Sequence, residues 1–365
     1  MIPKSQNVVY ASKDINSQQL SLLRFPLAVV IIAIHIFADK PAGYTAAGFP
    51  LFGAVKSFLS AFLSFQSVPV YFFISGFLFF FGLKTWNTAK WVNKIKNRKN
   101  TLLIPYLLWN CLCFLLFMTY YRDFANFNIK SFFSCFWGYD GMITGAPPST
   151  MPINYPLWFL KDLIIVVLLT PLLWYALKKS GKFVLSFFAF LWFLKYFGVI
   201  DFYIPAQGLF FFSFGAYMSL NGKSITTEFG KFFKLSVYGY LILGIVSMCF
   251  YNVNPQIFKI LKFALILFGL FFALNLSGWL LKKGYCKVNE FLSSASFFMY
   301  VSHALVISTI SKMLIKIFSP ASDLSWLVVY MLNLMLTVVL LLSAYHLISR
   351  FFPKALSLLT GRKGC

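Results

Sequence analysis

Long apolar runs constrain this chain more than any other feature of its sequence. Ten of them, of about 17 to 25 residues, fall at 21–38, 66–83, 102–121, 157–177, 183–200, 204–220, 235–252, 259–281, 297–317 and 326–348. In lipid each backbone N–H and C=O needs a partner within the protein, so runs of this length read as membrane-crossing helices. The expected fold is all-α: a polytopic membrane protein, one bundle of about ten transmembrane helices. With 60% hydrophobic and 11% charged residues, a soluble domain has too little polar surface to cover itself. The segment 49–64, FPLFGAVKSFLSAFLS, is shorter and interrupted by Lys56. It reads as an interfacial or re-entrant helix, or as an extension of the second span.

The formal charge of +23 invites a nucleic-acid reading, which its distribution opposes. Of 32 Lys and Arg, 21 lie in the two termini and the connections that share their side of a ten-span bundle. The positive-inside rule then puts both termini in the cytoplasm, and the basic segments meet anionic membrane lipids instead of nucleic acid. The domain reading is a cytoplasmic tail over 1–20, a transmembrane domain over 21–348 and a basic cytoplasmic tail over 349–365. The N-terminus does not resemble a cleaved signal peptide. Six scattered cysteines form no metal-ligand or redox spacing, and three dispersed histidines with few acids support no metal site. The longest outward connection, 122–156, carries GYDGMITGAPPSTMPINYP and reads as an irregular loop, either a lid or a plain connector.

A charge near the middle of a span costs at least about 2.5 kcal/mol, so each one requires an explanation. The first span holds Arg24, His35 and Asp39. Eleven residues of helix make three turns and about 20°, and rise about 16 Å, so Arg24 and His35 share a face. Arg24 otherwise reads as a side chain snorkelling to the membrane edge, and His35 as a neutral imidazole bonded to a neighbouring helix. Asp39, one turn beyond His35, is placed to orient the ring or to lie solvated in the loop. His303 falls in the inner half of the ninth span, and Asp162 at the outer start of the fourth. There Asp162 either binds sugar hydroxyls or pairs with Lys161 or Arg122.

Several stretches together resemble the acyltransferase 3 family of membrane proteins. RFPLAVVIIAIH matches that family's R-x10-H first-span signature. VPVYFFISGFLFF resembles its second span, broken by Ile-Ser-Gly, and KNRKNTLLIPYLLWN its basic loop leading into a third span through Ile-Pro-Tyr. PLWFLKDLIIV and FFMYVSHALV resemble the start of the fourth span and a late Tyr-x-x-His element. The resemblance covers essentially the whole chain, in order. It implies a bacterial inner-membrane enzyme that takes an acyl group, acetyl by default, from cytoplasmic acyl-CoA to a hydroxyl of a surface polysaccharide or its lipid-linked precursor. It also implies that Arg24 and His35 are the essential pair. The family's R-x-x-R element is half present: Arg98 stands at the first position and Thr101 at the second, with Lys96 and Lys99 as point charges beside them. The expectation from the resemblance is the family's minimal form, without an appended hydrolase-like domain.

On this reading Arg24, Arg98, Lys96 and Lys99 attract the donor's phosphates at the inner mouth. The rise of about 16 Å to His35 is comparable with the reach of an extended pantetheine arm. His35 serves as general base for the sugar hydroxyl, or alternatively as the carrier of a covalent acyl group. His303 supports donor, acceptor or packing. A proton-coupled transporter or flippase of a glycan intermediate is the competing class, disfavoured by the lack of symmetric broken helices and of acidic relays within the spans.

Overall fold

Asparagine and serine side chains start many of the helices, satisfying backbone N–H groups that have no partner in a first turn. In the computed structural model Asn87 Oδ1 accepts from Lys90 N at 2.8 Å, Asn254 from Gln256 and Ile257 N, and Asn289 from Leu292 N. Ser322 and Ser325 bond reciprocally at the head of the last long helix. The structure describes residues 4–37, 49–83, 85–121, 128–138, 150–251 and 253–361. Among these, every regular element is a helix. In chain order they are α1 (Lys4–His35), α2 (Pro50–Ser57), α3 (Ser67–Phe80), α4 (Thr88–Arg98), α5 (Ile104–Tyr121), α6 (Ile129–Ser134), α7 (Trp158–Leu168) and α8 (Thr170–Phe197). Then come α9 (Ala206–Leu220), α10 (Ile225–Gly230), α11 (Phe233–Phe250), α12 (Pro255–Lys282), α13 (Glu290–Phe318), α14 (Asp323–Phe351) and α15 (Pro353–Thr360).

Among the described residues seven helices are long and apolar enough to cross a membrane: Ile15–His35, Thr88–Tyr120, Thr170–Phe197, Phe233–Phe250, Pro255–Lys282, Glu290–Phe318 and Asp323–Phe351. The other expected spans are helical but short. α3 has 14 residues, α7 has 11 and α9 has 15, each below the roughly 20 that a hydrocarbon core demands. The expected 157–177 span divides at Leu169 because Pro171 has no N–H for the Val167 carbonyl. The Thr170 hydroxyl takes that carbonyl instead, at 2.6 Å. α8 then bends at Ser180 (φ −145°, ψ 49°), within the Lys-Lys-Ser-Gly-Lys stretch expected to be a connection. The segment 49–64 forms α2, prolonged by a π-helical turn over Phe58–Phe62. Residues 353–360, expected within a tail, form α15.

α3 and α9 meet backbone to backbone. A Cβ at Gly76 would lie 2.0 Å from the Phe212 carbonyl oxygen, and one at Gly215 would lie 2.1 Å from that of Phe73, the small-residue contact by which helices associate in lipid. Gly76 belongs to the Ile-Ser-Gly break, which is therefore a packing notch. α1 and α13 run beside this pair, and buried side chains from all four belong to one core.

The described parts of the long connection fold back into the bundle instead of staying outside. They contain α6 and a short 3₁₀ turn at Tyr155–Leu157; residues 122–127 and 139–149 lie outside the described residues. Non-helical backbone at this depth requires partners, and side chains supply them. Tyr106 donates its hydroxyl to the Phe136 carbonyl and Tyr300 to that of Pro156, while Asn110 Oδ1 accepts from Asn154 N. Lys161 Nζ donates to the carbonyls of Trp137 and Thr150, both at 3.0 Å, and sits over the rings of Trp137 and Tyr203.

Candidate active site

α1 ends inside the bundle, and its last residue is His35. The chain turns there through Phe37, whose left-handed φ of 52° is uncommon outside glycine. Lys56 from α2 donates to the Phe37 carbonyl at 2.7 Å, placing a cation at the negative end of α1. This is the role of the lysine that interrupts an otherwise apolar segment. Asp323 holds the other end of α2 through the N–H groups of Leu51 and Phe52, at 2.7 and 2.8 Å. His35 is thus positioned by α14 acting through α2.

The His35 ring stacks on that of His303, with centroids 5.1 Å apart and planes at 27°, and meets the edge of Tyr155 at 5.0 Å. His303, expected in the inner half of its span, lies at the middle of α13 and is fully buried. Its Nδ1 is 2.6 Å from the Tyr300 carbonyl. A carbonyl only accepts, so Nδ1 carries the proton and Nε2 presents a lone pair. That Nε2 has no hydrogen-bond partner among the described residues.

Two cavities flank this pair of imidazoles, and the register of α13 shows the division. Ser293, Ser296, Phe297 and Tyr300 line the first cavity, of about 290 Å³, while Ala304, Leu305, Ser308, Thr309 and Lys312 line the second, of about 490 Å³. His303 falls between the two sets. On α1, Arg24 and Ile31 line the first cavity, and Tyr155, which touches His35, lines the second.

The first cavity lies toward the lysine-rich face and is cationic. Arg24 and Arg98 both line it, and among the described residues no carboxylate does. Arg24 lies on α1 eleven residues before His35 and is half-buried. Tyr71 from α3 fixes this point of α1, donating to the Arg24 carbonyl at 2.7 Å.

The segment expected as a basic loop is instead helical without interruption from Thr88 to Tyr121, through a π-helical turn at Lys99–Leu103. Pro105 gives the physical reason: it has no N–H for the Thr101 carbonyl, and its ring crowds that turn, which a wider coil accommodates. Arg98 and Thr101 line the first cavity together. The Thr101 hydroxyl is buried and lacks a partner among the described residues.

The remaining expected residues lie elsewhere. Lys96 is exposed and does not line the first cavity; Lys99 is exposed and borders a smaller cavity of about 90 Å³ beside Arg98. Asp162 is apart from both main cavities, its carboxylate accepting the Tyr203 hydroxyl. Asp39 lies outside the described residues. Among the described residues no cluster of His, Cys, Asp or Glu could hold a metal ion. Tyr155, Asn154, Tyr71 and Lys312 were not legible as site residues. Tyr155 and Asn154 sit in a Pro-rich loop, and only the α13 register, counted from His303, would have brought Lys312 to notice.

A multi-helix membrane protein with a stacked imidazole pair between a cationic chamber and a second, larger one is the class these observations define. The chain belongs to the acyltransferase 3 family, whose profile, an acyltransferase domain, matches residues 17–346. It is also 24% identical over 364 residues to the succinoglycan biosynthesis protein ExoH of Rhizobium meliloti (strain 1021), covering 95% of this chain and 92% of that protein. No solved structure matches it. The chain is accordingly a membrane acyltransferase.

Proposed function

We propose that the protein is an O-acyltransferase, with acetyl as the default group, that moves the acyl group of cytoplasmic acyl-CoA to a sugar hydroxyl of a surface polysaccharide or its lipid-linked precursor. The observation that carries this reading is the division of α13 at His303 into two chamber walls. A donor and an acceptor approaching from opposite faces meet at the same imidazoles. Placing both termini in the cytoplasm of a bacterial inner membrane puts the cationic chamber on the side where acyl-CoA is found. A relative named for succinoglycan biosynthesis supports a glycan as the acceptor.

In this mechanism Arg24 and Arg98 draw the donor's phosphates into the first cavity, and the thioester lies against the imidazole layer. A sugar hydroxyl attacks the carbonyl carbon as His35 takes its proton. The new ester C–O bond forms, the C–S bond breaks, and the proton passes from the imidazolium to the departing thiolate. The buried Nε2 of His303 accepts a hydrogen bond from a reacting group and keeps it beside His35. Asp162, through Tyr203, acts on the fold of the re-entrant segment.

The test is transfer of label from radiolabelled acetyl-CoA to extracted envelope glycans by protein in nanodiscs, with His35→Ala and Arg24→Ala checked for equal folding. Transfer by the native protein that is lost with His35 supports the mechanism. Failure to bind any acyl-CoA sinks it and favours a glycan carrier.

A further inference from the structure

The second cavity lies between α5 and α13, on the face opposite the lysine-rich one, and it differs in character from the first. Its walls are apolar where Leu116, Phe117 and Leu305 contribute, and polar along one line of α13 through Ser308 and Lys312. Beside it the side chains of Leu115, Met313 and Ile317 are 55%, 47% and 65% exposed. Large apolar side chains exposed on a membrane helix face acyl chains, so the rim of this cavity adjoins lipid.

Two polar features offer contacts to a ligand. Lys312 is exposed on the cavity wall, its Nζ 5.7 Å from the centre of the Tyr120 ring, and among the described residues no carboxylate lines the cavity. A lysine so placed selects an anion. At the deep end Asn154 is wholly buried: its Nδ2 donates to the Val301 carbonyl, and its Oδ1 has no partner among the described residues. A buried acceptor left unpaired is costly, and a hydroxyl donor satisfies it. Asn154 adjoins Tyr155, which touches His35, whereas Lys312 is nine residues beyond His303, about 14 Å along α13.

We propose that this cavity receives a membrane-borne acceptor: a glycan joined through a phosphate to an apolar tail. Lys312 takes the phosphate, the tail lies on the apolar rim toward lipid, and Asn154 Oδ1 accepts a sugar hydroxyl near the imidazoles. The proposal rests on the acyltransfer reading and specifies its acceptor. The enzyme then acts on carrier-linked glycan within the membrane, before the glycan leaves its carrier.

Farnesyl phosphate in nanodiscs is the probe, with farnesol, inorganic phosphate and phosphatidic acid as separate arms read by native mass spectrometry. The expected result is binding of farnesyl phosphate that falls about tenfold or more in Lys312→Ala, as for loss of a charge-assisted bond, and persists in Lys312→Arg. Farnesol and inorganic phosphate should each bind at least about tenfold more weakly, since each lacks one of the two contacts. Equal binding by native protein and Lys312→Ala, or none by either, overturns the proposal. Phosphatidic acid binding as tightly as farnesyl phosphate also overturns it, by showing a general anionic-lipid patch. Acetyl-CoA binding, measured on the same samples, reports the donor side independently and should be unchanged in Lys312→Ala. Its absence in native protein with farnesyl phosphate still bound counts against acyl transfer alone.

Discussion

At the scale of the residue, the imidazole pair is the centre of this molecule. His35 and His303 stack, so neither donates to the other in its ring plane; His303 is fully buried, and neither ring is part of the lining of either cavity. Replacing His35 by Ala is expected to reduce acyl transfer by about 10²- to 10⁴-fold, the usual worth of a positioned general base. His303→Leu should also lower kcat, because it leaves no acceptor where the Nε2 lone pair was. Both variants should retain acetyl-CoA binding, measured by isothermal titration. Arg98→Lys is expected to raise the KM for acyl-CoA about tenfold with kcat nearly unchanged, since a point charge replaces a planar fork in a ground-state contact. A full kinetic comparison separates these two behaviours. R-x10-H was legible in the sequence because helical rotation puts both residues on one face. The company of His303 was not, because nothing in the spacing of α1 and α13 sets their relative height.

At the scale of the element, glycine and proline decide where helices approach and where they widen. Gly76→Ala would force a methyl group against the Phe212 carbonyl, with no flexible side chain to yield. It should destabilise the α3–α9 pair by about 1–3 kcal/mol, the usual cost of overpacking, and lower the thermal midpoint in detergent. α15 closes the first cavity from below: Thr360 lines it, and the Leu359 carbonyl accepts from Trp109 Nε1 at 3.0 Å. Ending the chain after Phe352 should weaken acetyl-CoA binding while leaving the helical circular dichroism close to that of the full chain. The Ile-Ser-Gly and Ile-Pro-Tyr motifs could be seen in the sequence. Their physical content, a packing notch and a π-turn that carries Arg98 and Thr101 to a cavity, depends on neighbours distant in the chain.

At the scale of the whole molecule, the basic residues and the two chambers set a polarity. If the lysine-rich face is cytoplasmic, an impermeant maleimide applied to intact cells should label Ala321→Cys, in the connection between α13 and α14, in an otherwise cysteine-free chain. A chain keeping only Cys286, between α12 and α13, should react only after permeabilisation. The reverse pattern would invert the bundle and place the cationic chamber away from acyl-CoA. The re-entrant segment belongs to this scale as well. Lys161, Tyr106, Tyr300 and Asn110 satisfy irregular backbone that lipid could not, and in doing so bring Asn154 and Tyr155 to the imidazoles.

Hydropathy was enough, from the sequence by itself, to determine an all-helical membrane protein; five motifs in order carried its family resemblance, and the eleven-residue spacing put Arg24 and His35 on one face of a helix. These are local or summed properties: a run of apolar residues is apolar wherever it packs, and eleven helical residues turn through the same angle in any bundle. Tertiary structure alone decided that short helices such as α3, α7 and α9 complete the bundle. It also decided that a loop returns inside it, that His303 meets His35, and that Lys312 rather than Asp162 lines the second chamber. Each of these depends on the relative height and rotation of separate helices, which packing sets and no single segment encodes.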